Sequence, residues 1–252
     1  MRRCSGGTGE LLRCSGCLLH TYCSKECQKA TWPLHKLECR TLWGLARTRA
    51  GQISGNPNAW GEFTRWAEYH QTSLSNFSIN GYIQYGPGSD EHYVFGIYLR
   101  YQKNHAELPL EKKFKLVGVH PLDKDDIPPG DMVAMTVQRM YWTHREQLIP
   151  LGHMQFGDEY GGTGAYVLSV DFNPNTRVDL GEMANAILYP VKPVPFDKMR
   201  AEAHPAPRPY QTLERILAAG ERLKFCCGKV PGMPKCCCGG WTHHDVDVDD
   251  ID

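Results

Sequence analysis

What the chain has little of sets the first limits. No run of about eighteen apolar residues occurs in its 252 residues, so no stretch is suited to cross a membrane as a helix. Lys+Arg and Asp+Glu stand at 28 each, a formal net charge of zero, so no global field steers the protein to nucleic acid or lipid. Cysteine is missing between positions 40 and 225. The first residues are polar and basic, without the apolar core of a secretory signal, so a disulfide framework is not expected. The expected location is therefore intracellular, cytoplasmic or nuclear. Catalytic signatures are missing too: there is no Gly-x-Ser-x-Gly elbow, no His-Glu-x-x-His and no kinase set. On that ground the chain is expected not to be an enzyme, with the middle region left open.

What is there is cysteine at the two ends. The first forty residues hold Cys14-x2-Cys17, Cys23-x3-Cys27 and His35-x3-Cys39, with Cys4 ten residues upstream of Cys14. Thiolate and imidazole in short pairs are what a tetrahedral zinc site needs, each pair gripping the metal from a tight turn or one helical turn. His35 and Cys39 are four positions apart, so on a helix both project from one face. Pro33 is expected in the first turn of that helix, with Thr31 or Trp32 as cap. Gly16 relaxes the turn inside the first pair. Residues 1–50 carry nine basic groups against three acidic ones, so this end has a positive surface.

The order Cys-x2-Cys, Tyr22-Cys23-x3-Cys27-Gln28, Trp32-Pro33, His35-x3-Cys39 resembles the MYND-type zinc finger. The resemblance covers about the first forty residues. It implies two interleaved zinc ions, with Cys14, Cys17, His35 and Cys39 closing one tetrahedron. Cys23 and Cys27 would share the other with an upstream Cys-x2-Cys pair, of which Cys4 can be the second member. The first member would fall at Met1, and a chain truncated at its start accounts for this better than a three-ligand site. The resemblance also implies docking of short, often proline-containing peptides, frequently by transcriptional co-regulators.

Beyond the finger, 51–58 reads as a polar linker. Asn56-Pro57 then reads as the start of a helix whose stripe is Trp60, Phe63, Ala67, Leu74 and Phe77, with His70 as a core-edge histidine and Gly81 and the Gly86-Pro87-Gly88 turn at its end. Tyr93–Tyr101 alternates as a half-buried strand, and 114–119, 132–140 and 165–172 are further strand candidates. Gly157–Gly164 reads as a hairpin loop, 190–209 as a proline-rich extended connection, and 210–224 as an amphipathic helix. In the tail, Cys227, Cys237, Cys238 and His243 stand among glycines, which points to one further zinc ion held by short loops. An acidic end with five aspartates follows.

The expected fold class is α+β: a small cross-braced zinc finger at 1–42, a mixed helix/sheet domain of unassigned fold at 56–205, and a helix with a Cys/His-rich acidic tail at 206–252. The expected function is a zinc-binding protein-interaction module with protein or peptide ligands, without nucleic-acid or membrane partners. The alternative is a SET-type protein-lysine methyltransferase carrying a MYND finger. Asn104-His105 is similar to the Asn-His of the SET cofactor motif, but Ala106-Glu107 breaks it.

Overall fold

A computed structural model describes residues 12–175, 186–203, 205 and 208–222. Its class is α+β. The chain divides into two compact units, Met1–Glu68 and Tyr69–Asp252.

In the first unit, β1 (Leu12–Arg13) and β2 (Thr21–Tyr22) form a two-stranded antiparallel ribbon around the knuckle. Helix α1 (Lys25–Glu38) follows, and its first turn is not at Pro33. Ser24 is the cap, accepting from the Cys27 amide at 3.2 Å, and Pro33 lies inside the helix. The Ser24-x-x-Cys27 spacing lets the hydroxyl satisfy an amide that the helix start leaves free, so the helix begins a full two turns early. A π-helical stretch, Cys39–Trp43, leads into α2 (Gly44–Ser54), which ends at Gly55 in the left-handed conformation (φ 70°). The stretch read as a linker is thus helical through Ser54.

The helix expected from Pro57 onward is two helices. α3 spans Ala59–Tyr69 and α4 spans Gln71–Tyr85, with the break at His70. The unit boundary falls between Glu68 and Tyr69, one residue before the end of α3. Within the first unit, Trp60 stacks on Trp43 with ring centroids 6.3 Å apart, and Phe63 and Trp66 extend the series. All four side chains are buried. Aromatic surfaces of this size supply most of the apolar burial that a unit this small can muster.

The second unit is built on a mixed sheet. Its strands are β3 (Tyr93–Tyr101), β4 (Phe114–Asp123), β5 (Tyr160–Asp171), β6 (Ile187–Leu188) and β7 (Lys192–Asp197). The order is β4-β3-β5-β6, and β7 pairs with the first half of β5. β3 runs antiparallel to β4 and parallel to β5, with Phe95 opposite Tyr166. β3 was expected to be half buried, but it is central, and only Tyr93 and Tyr98 along it are partly exposed. A strand with helices over both faces reads as a continuous apolar run.

One sheet face carries Phe95 and Tyr166, and against it lies α4, where Phe77 and Tyr82 meet Phe95 at ring distances of 5.9 and 5.0 Å. Of the two expected end signals, the turn from Gly86 does end α4, whereas Gly81 does not. It sits inside the helix, where a Cβ would come 2.2 Å from the Phe95 ring. On the opposite face, Val94, Leu122, Ala165 and Val167 pack against Ala134, Val137 and Tyr141. Those three belong to, or directly follow, α5 (Met132–Met140), a segment expected as a strand. Asp131 caps it, accepting from Val133 and Ala134 at 2.9 and 3.0 Å, and the spacing 134, 137, 141 is helical. α6 (Arg145–Phe156), the short α7 (Lys198–Ala201) and α8 (Pro209–Ala219) complete the unit. The stretch expected as a hairpin loop at Gly157–Gly164 is a 3-10 turn followed by the start of β5, and the proline-rich connection contains β7. No helix among the described residues is long and apolar enough to cross a membrane.

Candidate metal centre

Four of the expected ligands converge. The ligand atoms of Cys14, Cys17, His35 and Cys39 all lie within 4.8 Å of one another, and all four residues are buried. Cys14 and Cys17 flank the knuckle, where the Leu18 amide donates to the Cys14 carbonyl and the Cys14 amide to that of His20, each at 2.9 Å. His35 comes from the last turn of α1, and Cys39 opens the π-helical stretch. Gly16 is required here: a Cβ would lie 2.9 Å from the Cys39 sulfur.

The spacing suits zinc. Zn–S bonds of about 2.3 Å directed to tetrahedral corners put neighbouring ligand atoms about 3.4–3.8 Å apart once a shorter Zn–N bond is included. Cys14 Sγ and Cys39 Sγ are 3.8 Å apart, and Cys17 Sγ and His35 Nε2 are 3.4 Å apart. A soft, fully protein-derived set of three sulfurs and one nitrogen is the donor chemistry of a closed structural site.

Protonation follows from the same burial. Burial pushes the Cys39 thiol up to about 12, and its hydrogen bond with Cys14 adds to the effect. Cys17 is raised chiefly by burial, against hydrogen bonds to backbone at His20 and Leu19. Cys14 is lowered, because backbone hydrogen bonds at Cys17 and Gly16 with help from neighbouring thiols outweigh burial. Burial and nearby His20 lower His35, so its ring is neutral and able to offer a lone pair. A metal entering this pocket therefore has to displace protons from sulfur, which ties occupancy to pH.

Two contacts hold the frame from outside the ligand set. The Trp60 indole N–H donates to the Cys17 carbonyl at 2.9 Å, and the Trp43 indole N–H donates to Glu38 Oε1 at 2.9 Å. Sequence reading assigned Trp60 to the stripe of the following domain. A periodic apolar residue carries no mark of which neighbour it will face, so Trp60 gave no signal of this role. His20 also packs on the ligand ring, 3.9 Å between centroids.

The remaining expected ligands are distributed differently. Cys23 and Cys27 bring their sulfurs within 2.9 Å of each other at the start of α1, apart from the four-residue cluster. Cys4 lies outside the described residues, as do Cys227, Cys237, Cys238 and His243 of the tail. Asn104 and His105 sit in the turn after β3, where the His105 ring stacks on Tyr101 at 4.2 Å and its Nδ1 meets the Tyr101 hydroxyl at 2.9 Å.

Comparison with known proteins agrees with the geometry. Residues 2–39 match the MYND finger family. SET domain and MYND-type zinc finger protein 6 of Schizosaccharomyces pombe is 54% identical over 44 residues, covering 16% of this chain and 9% of that protein. Histone-lysine N-methyltransferase SMYD3 of Homo sapiens is 52% identical over 40 residues, again 16% of this chain and 9% of that protein. Histone-lysine N-methyltransferase ASHR1 of Arabidopsis thaliana is 41% identical over 49 residues, 19% of this chain and 10% of that protein. The chain thus spans about a tenth of the length of these relatives, and the match is to the finger. No solved structure matches. These names correct one expectation. Missing catalytic motifs were read as the mark of a non-enzyme, yet relatives sharing this finger are named lysine methyltransferases. The finger is a zinc-binding protein-interaction module of the MYND type.

Proposed function

We propose that Cys14, Cys17, His35 and Cys39 hold one structural zinc ion, and that the surface this ion fixes docks short peptide segments of partner proteins. The buried three-sulfur, one-nitrogen cluster, with ligand separations of 3.4 and 3.8 Å, carries the reading. Four protein ligands leave no open position for a substrate, so zinc here shapes a surface and activates nothing. Exposed leucines on the same unit support the docking role: Leu34 and Leu37 on α1 are 87% and 72% exposed. Apolar side chains grouped in solvent mark contact surfaces. A proline-containing ligand fits such a surface, because its extended conformation is largely preformed. Cys23, Cys27 and Cys4 are proposed to contribute to a second ion, and the protein is proposed to act inside the cell as a co-regulator.

Native mass spectrometry with site variants tests the ligand set. His35→Ala should remove one zinc ion and Cys27→Ser should affect a separate one. Full zinc content in the His35→Ala protein would overturn the assignment. The names of the relatives favour a second reading, methyl transfer by the remainder of the chain. Incubation with labelled S-adenosylmethionine and lysine peptides tests it directly.

A further inference from the structure

The finger unit carries a second concavity, which the metal cluster does not use. It has a volume of about 310 Å³ and lies where the knuckle meets α2 and the start of α3. Arg13, Arg47 and Arg65 line it, together with Glu62 and an apolar wall of Leu18 and Pro57.

The manner in which the arginines are held decides what the cavity can bind. Arg47 Nη1 donates to the Ser15 and Gly16 carbonyls at 2.9 and 3.2 Å. Arg65 Nε donates to the Gly61 carbonyl at 3.3 Å. Arg13 Nη1 donates to the Leu18 carbonyl at 3.2 Å, and its other terminal nitrogen pairs with Glu68. Carbonyl oxygens are neutral: they fix a guanidinium in place and leave its charge standing. Among the described residues, Arg47 and Arg65 pair with no carboxylate. Glu62 offsets part of the charge, and a positive surplus remains. Arginine in this state presents donors in a planar fork that matches a carboxylate.

We infer that this cavity is a docking site for an acidic segment of a partner protein, with an aspartate or glutamate side chain entering beside Arg47 and Arg65. The inference rests on the zinc-organised docking reading above and names the chemistry of the ligand. Size favours a side chain over a duplex: about 310 Å³ is at the small end of ligand pockets, which run from about 300 Å³ upward. Duplex DNA instead needs a row of cations along a surface, and Glu62 in the lining would repel its backbone. Leu18 and Pro57 give the flanking residues of a peptide an apolar surface. The site also depends on the metal, because the carbonyls that hold Arg47 and Arg13 belong to knuckle residues 15, 16 and 18.

Zinc-loaded full-length chain, its metal counted beforehand, is titrated with a short fluorescein-labelled Asp/Glu-rich peptide and with its Asn/Gln counterpart. The acidic peptide should bind, and the amide peptide at least about tenfold more weakly, the fall expected when charge-assisted contacts are lost. Arg65→Glu should weaken acidic-peptide binding about tenfold with zinc content and circular dichroism unchanged, because the hydrogen bond it gives up, to Gly61, lies within its own helix and not on the knuckle. Arg47→Gln provides a second variant with the charge removed and not reversed. Added salt should weaken binding progressively. Equal binding of the amide peptide, or no effect of Arg65→Glu, overturns the inference. So does a duplex oligonucleotide that binds more tightly and displaces the peptide, since that would make the surface a nucleic-acid site. A chain that holds zinc but not the acidic peptide refutes this inference alone, whereas a chain that holds no zinc refutes the reading beneath it.

Discussion

The two units solve the problem of size in opposite ways. Met1–Glu68 has a few buried tryptophans and a cluster of thiols whose burial disfavours the thiolate form that a metal would need, its binding releasing their protons to solvent. Tyr69–Asp252 has a central pair of strands covered on both faces, and buried polar groups at the heart of its sheet find partners within the protein. The Tyr82 hydroxyl, for example, donates to the Ala165 carbonyl at 2.7 Å and accepts from the Ala165 amide at 2.8 Å. In the proposed reading one unit draws much of its order from an ion, and the other draws its order from apolar area. A small unit with little core gains most from a bound ion, and a larger one can rely on buried apolar area.

The strongest way to break that contrast is to remove a ligand. Cys39→Ala should abolish a zinc contribution on the order of 10–16 kcal/mol and unfold the finger unit. Hydrogen exchange should lose protection up to about residue 68 and keep it in β3 and β5, matching the unit boundary. Collapse of protection in the strands would show that the two halves are not independent.

The converse experiment strikes the sheet. Phe95 is buried between Phe77 and Tyr82, so Phe95→Ala should cost about 3–5 kcal/mol of stability in the second unit. Zinc content, read by mass spectrometry, should not change. A parallel fall in zinc would contradict the separation.

Trp60 sharpens the comparison from inside the finger. Trp60→Phe keeps most of the aromatic surface but removes the donor to the buried Cys17 carbonyl. An unsatisfied buried acceptor costs about 1–3 kcal/mol, which chelator competition should register as weaker zinc retention. Unchanged retention would mean that the indole contributes packing alone.

The smallest expected effect is a pH dependence in the sheet unit. Burial lowers His70 below its ordinary value of 6.5, against the carbonyl of Glu111, which its Nε2 meets at 2.8 Å. Below 6.5 the unfolded chain takes up a proton that the folded chain refuses. Stability from this group is therefore full above 6.5 and declines as pH falls toward the lowered folded value. Urea melts at a series of pH values should show the slope in the wild type and lose it in His70→Gln. A slope unaltered in the variant would assign it to other groups.

The finger was legible because its information is local. Ligand spacing, knuckle glycine and helix face are all set within a few residues, so the pairs Cys14/Cys17, Cys23/Cys27 and His35/Cys39 could be picked out before any fold was known, and the MYND resemblance implied which of them share a site. The start of α1 was misplaced because Pro33 looks like a first-turn proline, while the capping hydroxyl of Ser24 lies in plain polar sequence. α5 was taken for a strand on its β-branched content. The pattern Ala134, Val137, Tyr141 and the cap Asp131 carried the correct answer. An apolar stripe from Trp60 to Phe77 reads the same whether it serves one core or two. Packing divides it between Glu68 and Tyr69. The cavity arginines escaped notice for a related reason: Arg13, Arg47 and Arg65 are far apart in sequence and look like ordinary surface charge.

The parallel pairing of β3 with β5 has a consequence for synthesis. Phe95 cannot meet Tyr166 until β4, α5 and α6 have been made, so the sheet closes only after a long stretch of chain has left the ribosome. Contacts so distant along the chain form slowly, and until they do the apolar faces of β3 stay open to misassembly. If the finger folds independently, as the ligand variant tests, it needs nothing beyond its own first helices and an ion. It can mature while the strands are still being translated, so a shortage of zinc during translation would be felt before the sheet exists.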